Sequence, residues 1–233
     1  MAMKKIIGML SLGQTPRVDL IPSIQKILGD EYEIMEAGVL DGLTLEDVNR
    51  IDIRPDDYIL VTRMRDGTEV KITKRFVIPF IQEKIYDLEK RMFKKVGSQF
   101  PLLTVIMCTG AFPHFESKGL VITPQEILKG VLNGSLKKGR LGVVYPTKEQ
   151  MSGAQVNFGS NDVETYADTI SPYQKSEELE ALVERLSAQN LDLILLNCFG
   201  FSFDLKKFIK ERTGVPTILS NAVIARVMKE LAS

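Results

Sequence analysis

Two rhythms alternate along the chain. Short, almost wholly apolar runs bounded by glycine or proline read as buried strands, and longer stretches with apolar residues three and four apart read as amphipathic helices. Lys4 to Ser11 opens as a strand, and Pro16 to Leu28 follows as a helix carrying Val18, Ile21, Ile24 and Leu28 on one face. Tyr32 to Ala37 is a weaker strand, and Thr44-Leu-Glu-Asp starts a short helix with threonine as its N-cap. Tyr58 to Met64 and Thr68 to Ile72 flank Asp66-Gly67, a hairpin turn signal. A charged helix from Lys74 to Lys95 sets Val77, Phe80, Ile81, Ile85 and Leu88 along one side. Pro101 to Met107 is apolar enough for a central parallel strand, and it ends at Cys108-Thr-Gly.

The same order then resumes. Thr123-Pro-Gln-Glu is a capping box with proline at the first helical position, predicting a helix to about Leu132. Gly139 to Tyr145 and Val163 to Thr169 read as strands. Ser176 caps a helix whose stripe is Leu179, Leu182, Val183 and Leu186. Leu191 to Asn197 is a buried strand ending at Cys198-Phe-Gly. A helix after Ser202 stops at Gly214, Val215 to Leu219 is the last strand, and Asn221 to Leu231 the last helix. From the pattern alone, the loop through Gly134, Lys137-Lys138 and Gly139 is the best boundary between two halves. The fold class is α/β, built from parallel sheets.

Composition narrows the function. In 233 residues, 30 basic and 30 acidic side chains cancel, so nothing electrostatic argues for nucleic acid. The clusters Lys74-Arg75, Arg91 with Lys94-Lys95, and Lys137-Lys138 read as solvated helix faces. No apolar run reaches the roughly 18 residues of a membrane span, and the N-terminal run leads into a polar loop rather than a cleavage site. The expected compartment is the cytoplasm, where two cysteines stay reduced. One histidine, His114, and two distant cysteines give no metal-ligand spacing, and no nucleotide-binding glycine motif occurs. The starting expectation is therefore a cofactor-free activity, or no activity. His114, among Phe112, Pro113 and Phe115, reads as structural.

In open α/β sheets, ligands bind outside the carboxyl ends of the strands. Both cysteines directly follow a buried strand, and Gly110 and Gly200 two residues later let the backbone turn sharply. Free cysteine is also a common packing residue. If the halves face each other, Cys108 and Cys198 line opposite walls of one cleft. Two such thiols suit inversion of a carbon α to a carboxylate or carbonyl, one removing a proton while the other returns one. The first loop, Ser11-Leu-Gly-Gln-Thr-Pro-Arg17, joins a strand to a helix. Ser11, Gln14, Thr15 and Arg17 there suit an anion, against the alternative of a plain turn. Thr109, Thr147, Phe199, Ser220 and Asn221 also follow strand ends; Ser220-Asn221 reads equally as a helix cap.

Gly13-Gln-Thr-Pro-Arg17, Leu196-Asn-Cys-Phe-Gly-Phe201 and Leu219-Ser-Asn-Ala-Val-Ile-Ala-Arg226 together resemble the AroM family, over essentially the whole chain. That family is similar to the aspartate/glutamate racemase superfamily. The resemblance implies two pseudo-symmetric flavodoxin-like halves, cofactor-free chemistry in the cleft between them, and Cys108 and Cys198 as the two thiols. It implies a first half of residues 1–124 plus 215–233 and a second of 125–214, and it is compatible with a homodimer. Cys108-Thr-Gly and Cys198-Phe-Gly are closer in style to hydantoin racemases than to the Cys-Asn-Thr and Cys-Thr-His of amino-acid racemases. This directs the expectation away from glutamate and aspartate.

The resulting expectation is a cofactor-independent racemase or isomerase acting on a small anionic organic acid or cyclic amide. Cys108 and Cys198 form its acid/base pair, and the polar loop residues position the anion. Decarboxylation, with one thiol protonating a carbanion, is a variant of the same chemistry. The alternative is a catalytically silent protein that binds a small organic acid on the same scaffold. The thiols discriminate: the enzyme needs both, within about 7–8 Å of each other across one carbon, and the binding protein needs neither.

Overall fold

The structure is a computed structural model that describes residues 4–97, 102–173 and 177–233. It divides into two compact units, Met1–Pro124 with Ile224–Ser233, and Gln125–Val223. The boundary predicted from pattern alone, Gly134 to Gly139, lies inside the second unit. The helix before it buries Leu128 and Leu132 in one core with Leu141, Val143 and Leu195.

In the first unit, β1 (Lys5–Ser11), β2 (Tyr32–Gly38), β5 (Leu103–Ile106) and β6 (Leu120–Ile122) form a parallel sheet in the order β2-β1-β5-β6. Burial on both faces explains the apolar runs: six of the seven residues of β1 and all four of β5 are buried. The long helix α3 (Lys74–Val96) covers this sheet with Val77, Ile81, Ile85, Leu88 and Met92, all wholly buried. Phe80, expected on that face, is exposed. A separate antiparallel hairpin of β3 (Ile59–Arg63) and β4 (Glu69–Thr73) precedes α3, turning at Asp66-Gly67 as its residues dictate. Helix α2 (Leu45–Asn49) begins at Thr44 with a reciprocal capping box to Asp47.

Helix α1 (Ile21–Leu28) is shorter than the periodicity predicts. Arg17 to Leu20 form a turn instead, with the amides of Leu20 and Ile21 bonded to the Arg17 carbonyl, and Val18 points to solvent. Pro22, at the start of the helix, lacks the N–H that an extension through residue 18 would use.

The second unit contains α4 (Pro124–Ser135), starting at the boundary, β7 (Gly139–Tyr145), a 3-10 turn (Lys148–Gly153), α5 (Ala154–Phe158), β8 (Val163–Thr169), α6 (Glu177–Ser187), β9 (Leu193–Leu196), α7 (Phe203–Thr213) and β10 (Thr217–Leu219). Its parallel sheet runs β8-β7-β9-β10, read from the opposite edge. Counted within each sheet, both have the strand order second, first, third, fourth, so the halves repeat one flavodoxin-like topology. Helix α7 is capped by Ser202 and terminated by Gly214, whose φ of 71° is the left-handed conformation glycine tolerates best.

Of the residues expected in the first half from Val215 onward, Ile224–Ser233 fall in the first unit and 215–223 in the second. β10 pairs in parallel with β9 through Thr217–Ile194, Ile218–Leu195 and Leu219–Leu196, and so belongs to the second sheet. The division falls inside the last helix, α8 (Ser220–Ala232), at Val223/Ile224. In the first unit, the Lys229 side chain donates to the Ile27 carbonyl at 3.2 Å and the Tyr32 hydroxyl to the Lys229 carbonyl at 3.3 Å. The predicted start of the third main strand at Pro101 and the Ser176 cap lie outside the described residues. Among the described residues, no helix is long and apolar enough to cross a membrane.

Candidate functional site

A sheet with this strand order reverses its winding between its first and third strands, and the crevice at their carboxyl ends is the preferred ligand position. In the first unit that point lies between β1 and β5, and in the second between β7 and β9. Each cysteine sits there in the same local geometry. The Met107 amide bonds to the Leu10 carbonyl of β1 at 2.8 Å, and the Asn197 amide to the Val144 carbonyl of β7 at 2.8 Å. The thiols therefore leave the sheets at equivalent positions.

Beyond each thiol the chain turns back so that the glycine amide donates to sulfur. Gly110 N–H reaches Cys108 Sγ at 3.4 Å, and Gly200 N–H reaches Cys198 Sγ at 3.3 Å. Both cysteines are free and half-buried. An amide donor favours the thiolate. Burial nevertheless dominates at Cys108 and pushes its thiol up to about 11, against the opposing pulls of the Gly110 amide and the Lys74 ammonium. This favours the protonated thiol at Cys108.

In the first loop, the polar side chains expected to suit an anion make hydrogen bonds within the protein. Ser11 is wholly buried, and its oxygen accepts from the Gly13 amide at 3.1 Å and from Arg17 Nη1 at 3.0 Å. Arg17, expected to grip a carboxylate, spends its fork on Asp19, with Nε–Oδ1 at 2.9 Å and Nη2–Oδ2 at 2.7 Å. Burial raises the Asp19 carboxyl, but the hydrogen bonds and charge of Arg17, with the charge of Arg63, outweigh it and hold the group below its usual range. Gln14 donates to the Leu40 and Leu43 carbonyls at 3.1 and 2.7 Å and accepts from the Arg65 amide at 2.8 Å. Thr15 gives both its amide and its hydroxyl to Asp41, each at 2.7 Å. These residues fasten the loop to the β2–α2 turn and to the hairpin. A methyl at Gly13 would lie 2.4 Å from both the Arg63 carbonyl oxygen and Thr62 Oγ1, so only glycine permits the docking.

In the second unit, the Ser220 hydroxyl donates to the Leu196 carbonyl at 2.7 Å, and the Asn221 amide to the Phe199 and Phe201 carbonyls, each at 2.8 Å. Both side chains therefore brace the Cys198 loop from the start of α8. Phe199 is buried, and a methyl at Gly200 would meet Pro172 at 3.0 Å and the Tyr173 hydroxyl at 3.2 Å, so these two residues lie directly over the turn. Thr147 is buried and gives its hydroxyl to Glu149 at the head of the 3-10 turn. Thr109 is buried beside Cys108. His114 is exposed on the wall of a cavity of about 340 Å³ that it shares with Phe112, Phe115, Ser117 and Thr123.

The charge pattern concealed one residue beside the first thiol. Lys74, which reads in sequence as half of a solvated basic pair, is half-buried at the start of α3. Its ammonium lies 5.8 Å from the centre of the Phe112 ring and 5.9 Å from that of Tyr58. Only its neighbour Arg75 behaves as the pattern suggests, exposed and paired with Asp57 at 2.9 Å. The available signal was Thr73: as N-cap of α3 it places residue 74 in the first turn, at the carboxyl end of β4.

Solved structures of other proteins agree with this chain in fold. Arylmalonate decarboxylase is similar with a TM-score of 0.56 at 15% identity, covering 98% of this chain and 92% of that one. Glutamate racemase RacE1 from Bacillus anthracis gives 0.54 at 16% identity, with 98% and 82% covered. Aspartate racemase from Picrophilus torridus gives 0.52 at 13% identity, with 97% and 94% covered. Residues 7–232 match the AroM protein family, and the chain belongs to it. Among curated protein sequences no match was found.

Proposed function

We propose that this AroM protein is a cofactor-independent racemase- or isomerase-like enzyme acting at a carbon α to a carboxylate or carbonyl, with Cys108 and Cys198 as its acid/base pair. The observation that carries this reading is the repeated strand–Cys-x-Gly turn. Packing alone requires a cysteine at neither switch point, and an amide aimed at sulfur in both units is what a thiol that changes protonation needs.

The proposed cycle uses Cys108 as the acid and Cys198 as the base. A thiolate at Cys198 removes the α-proton, the electron pair delocalises into the adjacent carbonyl or carboxylate, and the Cys108 thiol returns a proton to the carbon. The reverse turnover uses the same two groups in exchanged roles, so no proton is gained or lost overall. The intermediate requires donors at its oxygens, and Thr109 beside the first thiol supplies a hydroxyl for this. Arylmalonate decarboxylase and the two racemases named above lend support by likeness of fold. A small organic acid or cyclic amide is the substrate class.

Incubation in D2O with a panel of chiral 2-substituted acids and hydantoins, followed by NMR, tests the reaction class. Deuterium entering the α-position only in the presence of protein supports it. No exchange across the panel, with the protein folded and both thiols reduced, leaves a binding protein on the racemase scaffold as the better account.

A further inference from the structure

If Cys108 reacts with a small carboxylate, something must hold that carboxylate, and the first-loop residues are committed elsewhere. Arg17 is spent on Asp19, and Arg63 also lies 3.7 Å from Asp19. Arg65 donates to the Thr15 carbonyl, and Arg75 is held by Asp57 and Asp52. Lys74 differs from all of these. It is half-buried, its ammonium is flanked by two aromatic rings, and among the described residues it has no carboxylate partner.

The same cluster contains the thiol. A methyl at Gly110 would lie 3.6 Å from Cys108 Sγ and 3.7 Å from Phe112 Cε2, so sulfur and ring share this glycine as neighbour. The other side of the cluster is Lys74, against the same ring. An ammonium withdrawn from water loses hydration that aromatic faces return only in part. A ligand carboxylate is the group that completes such a site. The rings themselves present apolar surface to the rest of the ligand.

We propose that Lys74 is the carboxylate-recognition group of the Cys108 site, selecting small carboxylic acids whose apolar or aromatic substituent packs against Phe112 and Tyr58. The proposal rests on the reading of Cys108 as a reacting thiol and adds what delivers the acid to it. Lys74 also lowers the cost of forming the thiolate, so one charge serves both the anion and the sulfur.

Iodoacetate and iodoacetamide distinguish these effects, because both alkylate a thiolate with loss of iodide and only the first carries a carboxylate. Alkylation of Cys108 is followed by mass spectrometry of its peptide, with free cysteine as reference. The ratio of iodoacetate to iodoacetamide rates at Cys108 is expected to exceed that of free cysteine by about tenfold, the scale of one close charge pair. Lys74→Met brings the ratio down to the free-cysteine value, and Lys74→Arg retains most of it. A merely structural lysine would shift both reagents alike and leave the ratio unchanged. A normal ratio in the unaltered protein, or an unchanged ratio in Lys74→Met, overturns the assignment while leaving the two-thiol reading intact. A Cys108 that reacts with neither reagent even at pH 10 overturns both, since no small carboxylate then reaches the thiol.

Discussion

The Cys108 thiol gives the most quantitative prediction. With its pKa pushed up to about 11, it titrates far above an ordinary cysteine. At pH 8, a group of that pKa is about 0.1% thiolate, whereas a free cysteine near 8.5 is about 24% thiolate. Population alone would slow alkylation roughly 240-fold. A more basic thiolate is also the better nucleophile, and a Brønsted slope of about 0.45 over about 2.5 pK units returns a factor of roughly 13. The net expectation is that Cys108 reacts with iodoacetamide about 20-fold more slowly than free cysteine at pH 8. Its rate should still be climbing tenfold per pH unit at pH 9.5, where free cysteine has levelled off. The assay is the initial rate of carbamidomethylation of the Cys108 peptide between pH 7 and 11, with circular dichroism at each pH to define the folded range. An inflection below pH 9 would refute the reasoning, because the Gly110 amide and Lys74 would then outweigh burial.

Three further substitutions probe the supports of the site. Gly13→Ala should cost about 1–3 kcal/mol in urea unfolding, because its methyl meets the Arg63 carbonyl and Thr62 hydroxyl at 2.4 Å and forces the hairpin to shift. Arg17→Lys should cost about 1.5–3 kcal/mol by breaking the two-pronged grip on Asp19, yet leave the iodoacetate-to-iodoacetamide ratio at Cys108 untouched; a lowered ratio would return Arg17 to the ligand. Asn221→Ala should cost about 2 kcal/mol, since the Phe199 and Phe201 carbonyls each lose their donor. The same change should speed amide hydrogen exchange at Gly200 while leaving the Gly110 amide as it is, and equal effects at both would contradict the brace.

Strand and helix identities were legible because burial imposes period. Residues 103–106 and 193–196 are buried without interruption, and α3 shows its face in Val77, Ile81, Ile85 and Leu88. The positions of the thiols were legible for the same reason, since a buried run that stops at Cys-x-Gly can only end a central strand. Pairing was not. Val215 to Leu219 carries no mark of the sheet it joins, and β10 is placed by its neighbour β9 rather than by its own three residues. The partners of the first loop were not legible, because Ser11, Gln14, Thr15 and Arg17 have the same donors whether they face a ligand or one another. What decides is the presence of Asp19, Asp41 and the Leu40 and Leu43 carbonyls, 2 to 29 positions away. Lys74 was hidden by the reverse logic. A lysine beside an arginine on a charged helix reads as solvated until the Tyr58 and Phe112 rings are seen against it.

Cys108→Ser and Cys198→Ser ask whether both thiols exchange the α-proton. With whichever acid or hydantoin of the panel deuterates in D2O, both variants are compared with the unaltered protein, folding being checked by circular dichroism. Each serine variant, though folded, is expected to lose racemisation of that compound, because a hydroxyl neither removes nor returns the proton at useful rates. Full racemisation in either variant would contradict the two-thiol mechanism.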